Sequence, residues 1–483
     1  MILRNIKYDF LIVLIGRLLQ VIIMIISIKI STSLLNPNEL GKVYLFMAIY
    51  TFFVLLLISP FGQYINRNTH KWHSNGLLLD IIKIYIIYIL IISSLSIAIG
   101  FVLNSLNMLQ DINLYTFLIL LFLFILFLTL NQTILPTLNM LFYRLSFIIL
   151  TVATSLGIVI FGYLFIKIFG NTAENWLFGT VLSNAIFMIV GFFILKNKLN
   201  KNTFGALYVI RRITIKNFKS VLYFVLPLSI ATFFMWLQNS GYRILIEHNI
   251  GLSFLGFLGT GFSISAQIAS TLESIVMEYL YPIYYKKITS QKIEDRKKAI
   301  DNLINKVLPI YFMLAIFVSF FAKYIVEILV DKKYYSVYVF VVIGIWIEFF
   351  RMSTNLFGNI SKSEMNTRKF MVPYIIGSLI SIFLVYLASL NDDYEIYLPI
   401  SLLMGGFLTM MAMCIFMKKL IAFSINFKLL FLSFLISIPY IGIYFFTFKT
   451  NLLLNLLIVG SFGIYFIGTI YFIYKRGLLN GNS

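Results

Sequence analysis

Charge, cysteine, histidine and proline are all scarce in this sequence. Only 12% of the 483 residues are charged, against about 25% in a typical soluble domain. That is too little polar surface to cover a globule in water. The single cysteine, Cys414, excludes a disulfide and any cysteine-built metal cluster. Of the 3 histidines, only His70 and His73 lie close together, and two ligands without a third do not make a zinc centre. No G-x-x-x-x-G-K-[ST] loop occurs, so the chain cannot itself draw on ATP. No polar stretch is long enough for an extramembrane domain. What fills the sequence instead is 60% hydrophobic residues, in long uncharged runs that recur from end to end.

Each run approaches the ~20 residues needed to cross a bilayer as a helix. The pattern predicts an all-α polytopic membrane protein of about 14 transmembrane helices. They fall at 10–33, 41–60, 77–101, 113–135, 146–168, 175–195, 218–242, 252–280, 305–330, 336–358, 371–390, 397–417, 429–447 and 452–474.

The 38 Lys and Arg outnumber the 18 Asp and Glu, for a net charge of +20. On a soluble protein that balance would point to nucleic acid. Here the basic residues gather in alternate short loops, which excludes a nucleic-acid partner and reads as the positive cytoplasmic side of a membrane protein. The two longest loops, 197–219 and 282–306, are the most basic, and they also suit anionic membrane lipids. The opposite loops are short and acidic, with Glu39, Asp111, Glu174, Glu247, Asp331, Asp392, Asp393 and Glu395. Both termini are expected on the cytoplasmic side. The first apolar run is too long for a cleavable signal and lacks a small-residue cleavage site. Usage rich in Ile, Asn and Lys suggests an AT-rich bacterial genome, hence a bacterial inner membrane.

A short repeat divides the chain. The first span ends in STSLLNPNELG (31–41) and the seventh in YRILIEHNIGLSFLG (242–256). Each has a long helix, a turn containing Asn, then Leu-Gly opening the next helix: Leu40-Gly41 and Leu255-Gly256. The expected organisation is an N-lobe over 1–200 (spans 1–6), a C-lobe over 201–420 (a cytoplasmic loop and spans 7–12) and two additional C-terminal spans over 421–483. Duplicated six-helix lobes around a central cavity are a common transporter architecture.

The turn after the first span, with Leu35, Pro37, Glu39 and Gly41, resembles the polysaccharide flippases of the multidrug/oligosaccharidyl-lipid/polysaccharide exporter (MOP) superfamily. So do Pro227 in the seventh span, the run Tyr242-Arg243 to Leu255-Gly256-Phe257, and the stretch ILVDKKYYSVY at 328–338. The resemblance is to O-antigen or capsule repeat-unit flippases of the Wzx type. It implies two six-helix lobes in a V, and movement of undecaprenyl-diphosphate-linked oligosaccharide from the cytoplasmic to the outer leaflet by alternating access, for surface polysaccharide such as lipopolysaccharide. It implies a transporter rather than an enzyme, with no catalytic residues, cofactor or metal. The driving force would be an H+ or Na+ gradient or removal of product outside, with polysaccharide polymerase machinery as a further partner. The family pattern has Asp before the Arg of the seventh span, where this chain has Tyr242.

Polar stripes mark candidate site residues. A charged side chain at mid-membrane costs at least ~2.5–3.5 kcal/mol, so such residues persist where a wet cavity or a partner receives them. In the first span Asp9, Arg17, Gln20, Ser27 and Ser31 share one arc at ~100° per residue. Arg17 reads either as a guanidinium donor to a diphosphate or as half of an interhelical ion pair. The seventh span repeats the spacing with Ser229, Thr232, Trp236, Asn239 and Arg243. Arg243 is a second diphosphate candidate or an interface anchor. Pro227 is a candidate kink. In the eighth span Thr260, Ser263, Gln267, Ser270, Ser274 and Glu278 share a face suited to sugar hydroxyls, or to helix packing. Glu273 lies off that face and is a coupling candidate. In the tenth span Glu348 and Arg351, aligned with Gly344, Asn355 and Asn359, form a local i,i+3 ion pair or a gating element. Asp9 is likewise a coupling or gating candidate.

Two alternatives compete. An ion-coupled multidrug antiporter of the same fold would favour acidic cavities, whereas these stripes are cationic or neutral. An O-antigen polymerase or ligase would carry a large outer loop, and the outer loops here are short.

Overall fold

Backbone polar groups in hydrocarbon must be satisfied within their own segment, so long apolar runs fold as helices. The computed structural model describes residues 2–105, 113–199, 215–288, 292–364, 366–445 and 451–475, and all regular structure among them is helical. The helices are α1 (Ile2–Leu34), α2 (Pro37–Phe53), α3 (Ser59–Ser74), α4 (Leu78–Ser105), α5 (Leu114–Met140), α6 (Arg144–Phe169), α7 (Ala173–Lys198), α8 (Ile215–Trp236), α9 (Tyr242–Asn249), α10 (Leu252–Ile288), α11 (Ile293–Leu329), α12 (Tyr338–Ser363), α13 (Thr367–Ser389), α14 (Tyr394–Lys418), α15 (Phe427–Ser437) and α16 (Leu452–Lys475). Among the described residues 12 helices are long and apolar enough to cross a membrane. The predicted seventh span is α8 with the π-helix Leu237–Gly241, and the thirteenth is α15 continued by the 3-10 helix Ile438–Phe445.

Two compact units result. The first comprises Met1–Trp236 with Ile246–Gly256, and the second Leu237–Leu245 with Phe257–Ser483.

In the first unit, small residues let helices approach closely, as expected where lipid offers no hydrophobic drive for association. A Cβ on Gly179 of α7 would meet the backbone of Phe161 and Gly162 on α6. Ser183 Oγ donates to the Thr154 carbonyl at 2.8 Å across the same pair. Between α2 and α3 lies a second π-helix, Val54–Ile58, followed by Pro60. A π turn and a proline both disturb the i→i−4 ladder. Side chains receive the affected carbonyls: Thr232 donates to Leu55 at 2.6 Å, Tyr88 to Leu57 at 2.7 Å and Tyr85 to Ile58 at 3.4 Å. Trp236 Nε1 donates to the Ala48 carbonyl at 2.8 Å.

Three residues of the Leu35–Gly41 turn have evident tasks. Asn36 caps α2 by accepting from the Glu39 N–H at 2.8 Å. Glu39 pairs with Lys42 at 2.8 Å and accepts from the Ala173 N–H at the start of α7 at 2.6 Å. Gly41 sits where a Cβ would strike the Leu252 carbonyl, and Gly256 where a Cβ would strike the Pro37 carbonyl.

In the second unit α13 and α14 pack through Gly377 against Thr409 and Gly405 against Ser381. The last two helices rest on α11. Phe317 and Phe321 stack with Tyr440, Phe462 and Phe466. Asn455 donates to Glu327 at 2.7 Å. Asp301 accepts from the Ser424 N–H at 2.7 Å and Asn305 from the Asn426 N–H at 2.8 Å, fixing the segment before α15.

Candidate functional site

The second unit contains a charged network within its apolar helices. The 3.6-residue period of α12 places Gly344, Glu348, Arg351, Asn355 and Asn359 on one face. Arg351 Nε lies 2.6 Å from Glu348 Oε2, one helical turn away. Its Nη2 lies 3.0 Å from Glu273 Oε2 on α10. Asn355 donates to the other Glu273 oxygen at 3.2 Å, and Tyr374 of α13 donates to the Asn355 amide oxygen at 3.1 Å. Asn359 donates to the Tyr281 hydroxyl at 2.6 Å. One guanidinium thus serves two carboxylates and ties α12 to α10, while Tyr374 brings in α13 through Asn355. An ion pair withdrawn from water is tolerable only when its remaining lone pairs and protons are satisfied; Asn355 supplies one such bond to Glu273 and is itself held by Tyr374.

Beside this network is a cavity of about 160 Å³. Its charged lining is Arg243, Glu348 and Arg351; amide and hydroxyl groups come from Gln238, Asn239, Ser263, Thr354, Tyr374 and Thr409; Tyr242 and Phe262 add aromatic rings. The π-helix Leu237–Gly241 brings Gln238 and Asn239 both to the lining. Gln238 Nε2 is anchored on Thr409 Oγ1 at 2.6 Å and the Gly405 carbonyl at 3.2 Å. Gly406 and Gly344 also border the cavity, and Gly344 lets α12 approach Ser265 and Phe262 of α10 closely. The chemistry on offer is hydrogen bonding in both directions, one carboxylate, two guanidinium groups and aromatic faces.

No protein-family profile and no curated protein matches the sequence. Solved structures match its fold. The lipid II flippase MurJ, in an inward closed conformation, superposes with a TM-score of 0.67 at 14% identity, over 98% of this chain and 100% of that one. An inward-facing multidrug resistance MATE family transporter of the MOP superfamily gives 0.61 at 14%, over 83% and 94%. A MOP superfamily transporter from Pyrococcus furiosus gives 0.53 at 13%, over 86% and 96%. The fold is that of the MOP-superfamily transporters. At these identities the likeness speaks for architecture alone, a multi-pass membrane protein built as transporters are.

Within this MOP fold the sequence-predicted residues separate. Asn239, Arg243, Ser263, Glu348 and Arg351 come together at the cavity, with Glu273 bonded to Arg351. Thr260 is fully buried, Gln267 is half-buried, and Ser270 is exposed with its hydroxyl turned to the Gln267 carbonyl at 3.1 Å. None of these three lines the cavity. The arc of α10 that does so runs through Ser263 and Ala266, and Glu273 follows Ala266 by two turns. In the first unit Thr232 is buried and its hydroxyl is engaged by the Leu55 carbonyl. Ser229 is half-buried one turn before it, its carbonyl accepting from Thr232 at 3.1 Å. Arg17 is exposed on α1 and donates to Gln20 at 3.2 Å; Ser27 is half-buried on the same helix. The side chains of Asp9 and Glu278 lie outside the described residues. Pro227 does not interrupt its helix: α8 runs through it, and the irregular turn falls ten residues later at Leu237–Gly241. The sequence there, Leu-Gln-Asn-Ser-Gly, is rich in poor helix formers.

Gln238, Thr409 and Tyr374 were not singled out from the sequence. Each is a neutral residue in its own span and completes no charge pattern or stripe. The one available signal is the Gly405-Gly406 pair, which marks close approach on α14.

Proposed function

We propose that this chain is a flippase of the Wzx type. It carries undecaprenyl-diphosphate-linked oligosaccharide repeat units from the cytoplasmic to the outer leaflet of a bacterial inner membrane by alternating access, for surface polysaccharide synthesis. The observation that carries this reading is the end-to-end match to the lipid II flippase, over 98% of this chain. The multidrug transporters cover 83% to 87% of it.

The physical task is to remove charge and hydroxyls from water. A diphosphate in hydrocarbon faces a desolvation cost that only paired, hydrogen-bonding groups offset. Arg17 is assigned to the diphosphate, since guanidinium binds phosphate bidentately and stays charged, and Arg243 to the arriving head group. Gln20, Ser27, Ser229, Asn239, Ser263 and Gln267 are assigned to the polar path of the head group, while Thr232, Thr260 and Ser270 are left to helix packing. Glu273, Glu348 and Arg351, with Asp9, are assigned to coupling or gating, with H+ or Na+ as the ion. Both termini are placed in the cytoplasm, and the exported unit is handed to polymerase machinery outside.

One observation favours a second reading. Two carboxylates, Glu273 and Glu348, meet at one guanidinium, a grouping that an ion-coupled multidrug antiporter could use. The two readings are separated by one preparation. Proteoliposomes containing the purified chain are loaded with a fluorescent lipid-diphosphate-linked oligosaccharide in one arm and with ethidium under an imposed ion gradient in the other. Glycolipid translocation without ethidium transport supports the flippase. Ethidium transport without glycolipid translocation replaces it with the antiporter.

A further inference from the structure

We infer that the second-unit cavity is a subsite for one pyranose ring of the transported glycan, and that the diphosphate is not held there. This deepens the flippase reading and rests on it.

Size is the first argument. A cavity of about 160 Å³ is in the class that encloses a single six-membered ring, since an engineered ~150 Å³ cavity takes up benzene. A branched repeat unit cannot enter whole.

Chemistry is the second. A pyranose presents hydroxyls that both donate and accept, around a face of C–H groups. The lining answers each part. Glu348 accepts from hydroxyls; Arg243 donates; Asn239 and Ser263 do both; Phe262 and Tyr242 offer flat apolar faces. A purely anionic guest would call for a lining without carboxylate, and a purely cationic guest for one without guanidinium.

Electrostatics is the third. Arg351 is already committed to Glu348 at 2.6 Å and Glu273 at 3.0 Å. A diphosphate beside it would sit against two carboxylates, and like charges in a low-dielectric site repel strongly. A neutral ring meets no such cost. The rigid anchoring of Gln238 on Thr409 and Gly405, and of Tyr374 on Asn355, fixes the shape of the pocket, so it discriminates between ring substituents.

The test uses the purified full chain in nanodiscs with methyl glycosides of glucose, galactose, N-acetylglucosamine and glucuronic acid as soluble probes, read by saturation-transfer NMR. At least one glycoside is expected to show transfer that falls tenfold or more in Ala266→Phe and in Ser263→Leu, which fill the cavity, and in Glu348→Gln. Ala266→Ser, which keeps the room, retains it. Size-exclusion profiles and unfolding midpoints confirm that each variant is folded; if Ala266→Phe is not, Ser263→Leu carries the comparison. Equal transfer in the filled variants overturns the subsite, as does absence of transfer from every glycoside. So does loss, on filling, of the 31P line broadening that inorganic pyrophosphate shows with the wild type, which would make the pocket a diphosphate site. Each of those outcomes leaves glycolipid translocation by the wild type standing. Failure of translocation with intact glycoside binding removes the flippase reading instead.

Discussion

Gly41 and Gly256 pack against each other's helix start in a reciprocal way. A Cβ on Gly41 would strike the carbonyl of Leu252, four residues before Gly256, and a Cβ on Gly256 would strike the carbonyl of Pro37, four residues before Gly41. The contact joins the two Leu-Gly turns that resemble each other in the sequence.

Ala at either position must therefore push two helix starts apart. Gly41→Ala and Gly256→Ala are each expected to cost about 1–3 kcal/mol, the usual range for overpacking. Gly468→Ala, where nothing lies within 4 Å, should be neutral or slightly stabilising. Unfolding midpoints in detergent check this, and similar midpoints for all three variants would contradict it.

Arg351 compensates two carboxylates at once. Arg351→Met removes that charge from two part-buried carboxylates and should cost up to the ~3–5 kcal/mol of breaking a buried pair on one side. Adding Glu273→Gln to that variant should recover part of the loss. A double-mutant cycle on chemical unfolding measures it. Strict additivity would show that the two residues do not interact.

The Thr232 hydroxyl reaches the Leu55 carbonyl in the π-helix. Hydrogen bonds between membrane helices are worth about 0.6 kcal/mol on average and up to ~1.7 kcal/mol. Thr232→Val should fall at the upper end because the group is buried and the bond is short, and Thr232→Ser should restore most of it. An unfolding free energy unchanged in Thr232→Val would remove the bond from the account.

Glu39 acts at the start of α7 as well as on Lys42. Loss of an acceptor at a helix N-terminus costs ~1 kcal/mol, whereas an i,i+3 ion pair on one helix is worth a few tenths. Glu39→Ala should thus destabilise clearly more than Lys42→Ala. Equal effects would reduce Glu39 to a surface charge.

Much of the fold was legible because hydrocarbon leaves the backbone few choices. Apolar run length alone located the helices. Distances between helices were not legible. Ser263 and Arg243 were found from stripes, yet Thr260 and Ser270 on the same α10 stripe do not reach the cavity, because small hydroxyl residues also serve packing and return hydrogen bonds to their own helix. Glu273 was set off the stripe, and its role became visible only when Arg351 of α12 was found opposite it. Gln238, Tyr374 and Thr409 needed the tertiary structure, since each is an unremarkable neutral residue until three helices converge.

The central claim is translocation of a diphosphate-linked glycolipid with guanidinium assistance. The most direct measurement is the initial rate at which a fluorescent lipid-diphosphate oligosaccharide becomes accessible to a membrane-impermeant quencher across proteoliposomes of the wild type, Arg243→Ala and Arg17→Ala. The account predicts rapid translocation by the wild type and a loss of tenfold or more in each variant at equal protein content. Wild-type rates no faster than protein-free vesicles, or variants as fast as the wild type, would contradict it.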